Sequence, residues 1–210
     1  YLNFFSELEF NEGTLLASST DQFPQTDPFN PFRGYYLFDG ENWTNYNRNT
    51  NDEMQRFGYG TAYVVDISDR FYAIGSWGDG MLLQNKVSGD IEIFDRSNSG
   101  FSGISSNRNY VVIAGLDSDP DNNIWATSFI SDLPLNVYDN DQDAWFHFPG
   151  VPNQGNDMYF KLFADSYGNL WISLIDLANK GRGLLVINPG NDISSNADDI
   201  YRKLNDGENS

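Results

Sequence analysis

The chain has 210 residues, 40% of them hydrophobic and 16% aromatic, ample for a packed core and well above what a disordered acidic chain carries. Against 12 Lys and Arg stand 30 Asp and Glu, a formal net charge of -18, which excludes nucleic acid and direct adhesion to an anionic membrane, since both need a positive field. Cysteine is absent, so there are no disulfides and no thiolate metal site, and no apolar run is long enough to span a bilayer.

Tyr1-Leu2-Asn3-Phe4 carries neither an initiating Met nor a signal-peptide pattern, so the chain reads as an internal segment whose targeting information has been cut away. From there the apolar residues alternate with a period of two between turn clusters, which predicts strands almost throughout. Leu8 to Ser18 is a first hairpin turning at Glu12-Gly13, followed by a loop from Ser18 to Arg33 and an aromatic hairpin from Tyr35 to Trp43. Val64 to Trp77 and Gly80 to Phe94 form the next pair of hairpins. Leu116 to Ser128 and Leu135 to Phe148 form the third, and Phe163 to Leu174 with Gly183 to Ile187 the fourth. Asp198 to Leu204 is the one place where a single helical turn is expected.

These units are copies of one device: an apolar strand, an Asp-rich or Gly-Asn turn, then a strand opening on an aliphatic residue and an aromatic. Aligning Leu15, Tyr72, Trp125 and Trp171 gives a period of roughly 50 residues, close to that of a propeller blade. Four short antiparallel strands cannot bury both faces alone, and radial stacking buries them between neighbours, whereas a sandwich would lack the fixed spacing of turn and Trp. The expected fold is therefore all-β: a β-propeller of about four consecutive four-stranded blades from a seven-bladed ring. The blades fall at roughly 1–48, 49–104, 105–150 and 151–210, and four are too few to close.

Several constellations carry possible chemistry. Asp117, Asp119, Asp121 and Asn123 have the alternating oxygens of a calcium loop, and Asp139, Asp141 and Asp143 repeat the spacing. Pro120 and the missing Gly and Glu of that motif favour hairpin turns, where Asp and Asn bond their own backbone. A glycosidase would need two carboxylates converging on the hub from different blades, but the acidic clusters map to hairpin turns facing solvent. His147 alternates with Phe146 and Phe148 and is expected on the polar side of its strand, without partners for a metal site or a triad. Gly78-Asp79-Gly80 lies between strands and lacks the helix a nucleotide loop needs. Trp125 and Trp171 are expected between blades; Trp77, beside a Gly pair, is the better candidate for exposure and for stacking on a sugar ring. No catalytic, metal-ligating or cofactor-binding residue is assigned.

Asp165-Ser166-Tyr167-Gly168-Asn169-Leu170-Trp171-Ile172-Ser173 resembles the two-component-regulator propeller repeat of Bacteroidota. The order of the blades is similar to the PorZ-type family of the type IX secretion system. Phe38 to Tyr46 resembles its outer hairpin, Gly75-Ser76-Trp77-Gly78-Asp79-Gly80-Met81-Leu82 its small-Trp-Gly-x-Gly-Leu strand, and Asp90 to Phe94 with Asn98-Ser99 the strand and turn that follow. Gly183 to Asn188 with Asp198-Asp199-Ile200-Tyr201-Arg202-Lys203-Leu204-Asn205 resembles its linker into the next blade. The turn from Asp117 to Asn123 departs from the pattern by lacking its Gly. The resemblance implies a non-enzymatic protein without cofactor, at the cell surface on the extracellular face of the outer membrane. Its implied partners are other attachment-complex proteins (a sortase and an outer-membrane barrel), with binding of anionic lipopolysaccharide. A second reading is the periplasmic glycan-sensing propeller of a hybrid two-component regulator, and a third is a propeller glycosidase.

Overall fold

A computed structural model of the chain describes residues 4–20, 34–57, 62–151, 157–176 and 181–204. The expected loop between Ser18 and Arg33 lies mostly outside them. Among the described residues, sixteen strands fold into four antiparallel meanders. The first blade is β1 (Phe4–Asn11), β2 (Thr14–Thr20), β3 (Gly34–Phe38) and β4 (Trp43–Asn47). The second is β5 (Ala62–Ile67), β6 (Phe71–Gly78), β7 (Met81–Asn85) and β8 (Ile91–Phe94). The third is β9 (Val111–Ser118), β10 (Ile124–Ser128), β11 (Leu135–Asp139) and β12 (Ala144–Phe148). The fourth is β13 (Met158–Ala164), β14 (Leu170–Ile175), β15 (Gly181–Asn188) and β16 (Ile200–Leu204).

The period-two pattern has its cause in the stacking. In blade 2, Val65, Ile67, Ile74, Leu82 and Ile93 pack with Leu16 and Tyr35 of blade 1. The alternate residues Val64, Ala73, Met81 and Leu83 pack with Ile113, Ile124 and Ala126 of blade 3. On the far side of blade 3, Trp125, Leu135 and Val137 meet Leu162, Leu170, Ile172 and Leu185 of blade 4. Three buried layers, each shared by consecutive four-stranded sheets, are the radial packing of a propeller. Past the end of β5, β6 continues and pairs with β9 (Trp77 with Val112, Gly78 with Val111), joining blades 2 and 3 into one curled sheet.

Two expectations are corrected. Residues 200–204 are not helical and do not leave the blade; they form β16, paired with β15 from Leu184–Leu204 to Asn188–Ile200. In blades 1 and 2 the aligned repeat position is displaced by one residue. Leu16 and Phe71, not Leu15 and Tyr72, face the following blade as Trp125 does, because a one-residue slip in a strand exchanges its faces. Trp125 is 1% exposed, but Trp171, at the same place in blade 4, is 36% exposed on a face that no described blade covers.

Candidate functional site

The first strands of the four blades gather at the hub, and in three of them a bulge sets the side chains that meet there. Ser6 and Glu7 of β1 oppose the single residue Ser18 of β2. Phe160 and Lys161 of β13 oppose Ser173 of β14 in the same way. In β5 the register slips around Tyr63. A bulged residue is released from the pleat and can be re-aimed. Here the two seryl hydroxyls hold the bulges open, accepting from Glu7 N at 2.9 Å and from Lys161 N at 2.9 Å. The re-aimed side chains meet: Lys161 Nζ pairs with Glu7 Oε1 at 2.8 Å and lies 5.0 Å over the Tyr63 ring. Burial, then the Glu7 charge, raises the Tyr63 phenol pKa.

Further along the same strands, beside the first hairpin turns, stand Glu9, Asp66 and Asp117. Asp66 is 5% exposed and accepts a hydrogen bond from Ser118 Oγ of β9. Burial lifts its pKa to about 6, with Glu9 and Glu7 adding to the rise and the Ser118 bond opposing it. Asp117 is pushed up to about 7, first by burial and then by Asp66 and Glu9. Burial raises Glu9 too. Carboxylates from β1, β5 and β9 therefore do converge on the hub, contrary to the expectation that the acidic clusters sit at solvent-facing turns. The signal was present in Leu8-Glu9-Phe10 and Val64-Val65-Asp66-Ile67, where acids interrupt apolar strand runs instead of marking turns.

Hydrogen bonding defines what these carboxylates do. Apart from the short β6–β9 pairing, the inner edges of the first strands have no ladder partner among the described residues, and an unpaired backbone N–H is costly. Val65 N of β5 donates to Glu7 Oε2 at 2.9 Å, and Ala164 N of β13 donates to Asp117 Oδ2 at 2.7 Å. Carbonyls on the same edges are met by hydroxyls and an amide. Ser6 Oγ donates to Tyr63 O at 2.7 Å, Asn11 Nδ2 to Ile67 O at 3.1 Å, and Thr127 Oγ1 to Phe160 O. Blade 1 thus caps the inner edge of blade 2, and blade 3 that of blade 4. Among the described residues, no group of three or more His, Cys, Asp or Glu side chains is placed to hold a metal ion.

The Asp-rich turns are explained by the same chemistry. Asp165 accepts from Tyr167 N, Asn169 N and Asn169 Nδ2, and from Trp171 Nε1 at 2.9 Å, which holds its pKa down at about 2. Asp119 makes the equivalent set, to Asp121 N, Asn123 N and Nδ2, and Trp125 Nε1 at 2.8 Å. The Gly missing from this turn is replaced by Asn122 at φ 64°, the left-handed geometry that Gly168 adopts at φ 78°. Asp139 caps Asp141 N and Gln142 N, while Asp143 pairs with Arg70 at 2.6 Å. Their oxygens hold the turns together.

Trp77 is half-buried, its ring edge-on to Tyr63 at 4.7 Å and 5.8 Å from Phe129, so it is not the exposed platform expected. Trp43, at 55%, is the more exposed tryptophan. Beside this aromatic group a cleft of about 350 Å³ lies between blades 3 and 4, lined by Ser128, Ile130, Ser131, Asp132 and Met158. Ile130 sits there at φ 53°, a strained conformation for a β-branched residue. His147 is half-buried between Phe101 and Trp145, not on an open strand face.

No protein-family model and no curated protein sequence matches the chain. Among solved structures it is similar to PorZ of Porphyromonas gingivalis, described as an essential surface component of the type IX secretion system. The TM-score is 0.78 with 21% identity, covering 95% of this chain and 27% of that one. It is also similar to the extracellular domain of a hybrid two-component system from B. thetaiotaomicron, with TM-score 0.56, 12% identity, and cover of 98% and 22%. The chain spans about a quarter of the length of either neighbour. The likeness establishes a PorZ-type propeller fold.

Proposed function

Starting from the propeller fold it shares with PorZ, we propose that this chain is a non-enzymatic recognition segment of a surface-exposed propeller in a type IX attachment complex, and that it binds partner proteins. The observation that carries this reading is the PorZ-like fold over 95% of the chain. Charge selects among ligands. The net charge is -18, and at least six of the 12 cationic side chains (Arg56, Arg70, Arg108, Lys161, Arg182 and Lys203) are held in ion pairs within the chain. An anionic lipopolysaccharide would meet a strongly acidic chain, whereas a basic or apolar protein surface would be complementary. On the same reading, residues 1–210 form part of a larger propeller. Its other blades cover the exposed faces bearing Phe5, Leu8 and Phe10 on one side and Phe163 and Trp171 on the other.

Catalysis is disfavoured because Glu7 and Asp117 are each engaged by a neighbouring backbone N–H, and Asp66 is buried against Ser118. The glycan-sensing regulator stands as the second reading, supported by the fold match at TM-score 0.56 over 98% of the chain. The test is binding of the immobilised full-length protein to outer-membrane proteins, to purified anionic lipopolysaccharide and to a neutral oligosaccharide panel. Saturable protein binding that weakens with salt supports the proposal. Binding of lipopolysaccharide alone moves the ligand, and oligosaccharide binding alone favours the regulator.

A further inference from the structure

The chain's single histidine stands between two hydrogen-bond acceptors. His147 Nδ1 is 2.7 Å from Asn136 Oδ1, and Nε2 is 2.6 Å from the carbonyl oxygen of Ser99. The Ser99 carbonyl can only accept. The Asn136 amide is fully buried and its orientation is fixed, because Nδ2 donates to the Ala126 carbonyl at 3.2 Å and to Ser128 Oγ at 3.0 Å. Turning that amide over would set its oxygen against the Ala126 carbonyl. Both ring nitrogens therefore face oxygen at hydrogen-bond distance, and only the imidazolium carries two N–H groups.

Ser99 belongs to the connector from β8 to β9. That segment is folded on itself by Ser99 N to Asp95 O at 3.1 Å, and it leads through Gly100, at φ 90°, into Phe101. Phe101 is buried in the layer between blades 2 and 3 and stands edge-on to the imidazole at 5.1 Å. A Cβ on Gly100 would lie 3.1 Å from His147 Nε2, so the connector passes directly against the ring. Asn136, on the other side of the ring, is in the heart of blade 3.

We propose that His147 is a proton-operated latch: as imidazolium it ties the connector between blades 2 and 3 to the Asn136 amide inside blade 3, and as neutral imidazole it releases one of the two. Most charged groups on the packed elements are already engaged. On the connector Asp95 pairs with Arg56 and accepts from Ser97, on β11 Tyr138 donates to Asp143, and in the loop before β9 Arg108 pairs with Asp132. Arg96 is also carried by the connector. Burial is the largest influence on the ring and lowers its pKa from the ordinary 6.5, while the hydrogen bond to the Ser99 carbonyl opposes that. The switch therefore operates on the acid side of neutrality.

Because there is one histidine, its ring signals are unambiguous in an NMR titration of the intact chain. The latch predicts that the imidazole, the Asn136 side-chain amide and the Ser99 to Phe101 backbone amides all shift in one transition. It also predicts that exchange protection of those backbone amides, corrected for intrinsic rate, is roughly 2- to 10-fold higher on the acid side, the range one net hydrogen bond confers. His147→Gln, which does not titrate, should abolish the transition. An imidazole that titrates without moving Asn136 and Ser99, or a transition that persists in H147Q, overturns the proposal. Should H147Q fail to fold, the wild-type titration decides the matter alone.

Discussion

Replacing Trp125 and Trp171 by alanine, one at a time, measures whether blades bury one another's faces. The two indoles hold the same place in consecutive repeats and make the same hydrogen bond, Nε1 to the turn aspartate, at 2.8 and 2.9 Å. They differ in cover: Trp125 is 1% exposed beneath blade 4, Trp171 36% exposed on the outer face of that blade. A fully buried Trp truncated to Ala costs about 3–5 kcal/mol, and scaling by the exposed third brings Trp171 to about 2–3 kcal/mol. Loss of the indole donor to Asp119 or Asp165 is common to both and cancels in the comparison. The expected difference of about 1–2 kcal/mol corresponds to a melting temperature roughly 2–8 °C lower for W125A than for W171A in a domain of this size. The assay is urea and thermal denaturation of both variants of the 210-residue chain, in which Trp171 is uncovered. Equal losses would show that blade 4 does not cover Trp125, and the stacking would be wrong.

At Gly115 of β9 an added Cβ would lie 2.5 Å from the Phe160 carbonyl oxygen and against Leu162 N of β13, both immovable backbone. G115A should therefore destabilise by about 1–3 kcal/mol, while G181A, whose Cβ meets nothing, should match the wild type in the same melt. For Asp66 the folded-state pKa of about 6 lies above the ordinary 3.8, so between those values the folded chain keeps a proton that the unfolded chain has released. Stability conferred at acid pH is then lost as pH rises from about 4 to about 6, and Asp117 extends the fall to about 7. D66N should flatten this profile by roughly 3 kcal/mol, because each pH unit between the two values contributes about 1.4 kcal/mol. A D66N profile parallel to the wild type would contradict it.

The repeat and its turns were legible because they are local. An aspartate six residues before a Trp, with Asn between, is a closed hydrogen-bond unit, and Asp119 to Trp125 and Asp165 to Trp171 form it without outside help. Phase within a strand was harder to read. Phe71 and Tyr72 are adjacent aromatics, and only the core they enter shows that Phe71 is the one facing the next blade. The strand from 200 to 204 is not legible because Ile200-Tyr201-Arg202-Lys203-Leu204 has no period-two alternation of its own and takes strand form by pairing with β15. The hub was hidden for a related reason. Glu7 and Lys161 are 154 residues apart and meet through bulges that no composition signals. Likewise, His147 looked solvent-facing beside Phe146 and Phe148, whereas the connector through Ser99 and Phe101 covers it.

If the hub carboxylates exist to cap inner strand edges and not to perform chemistry, the amides of Val65 and Ala164 should be protected from hydrogen exchange. Glu7→Ala should expose the first and Asp117→Ala the second, each leaving the other amide protected. Amides that exchange freely in the wild-type chain, or that stay protected in both variants, would free those carboxylates for another role and contradict the account.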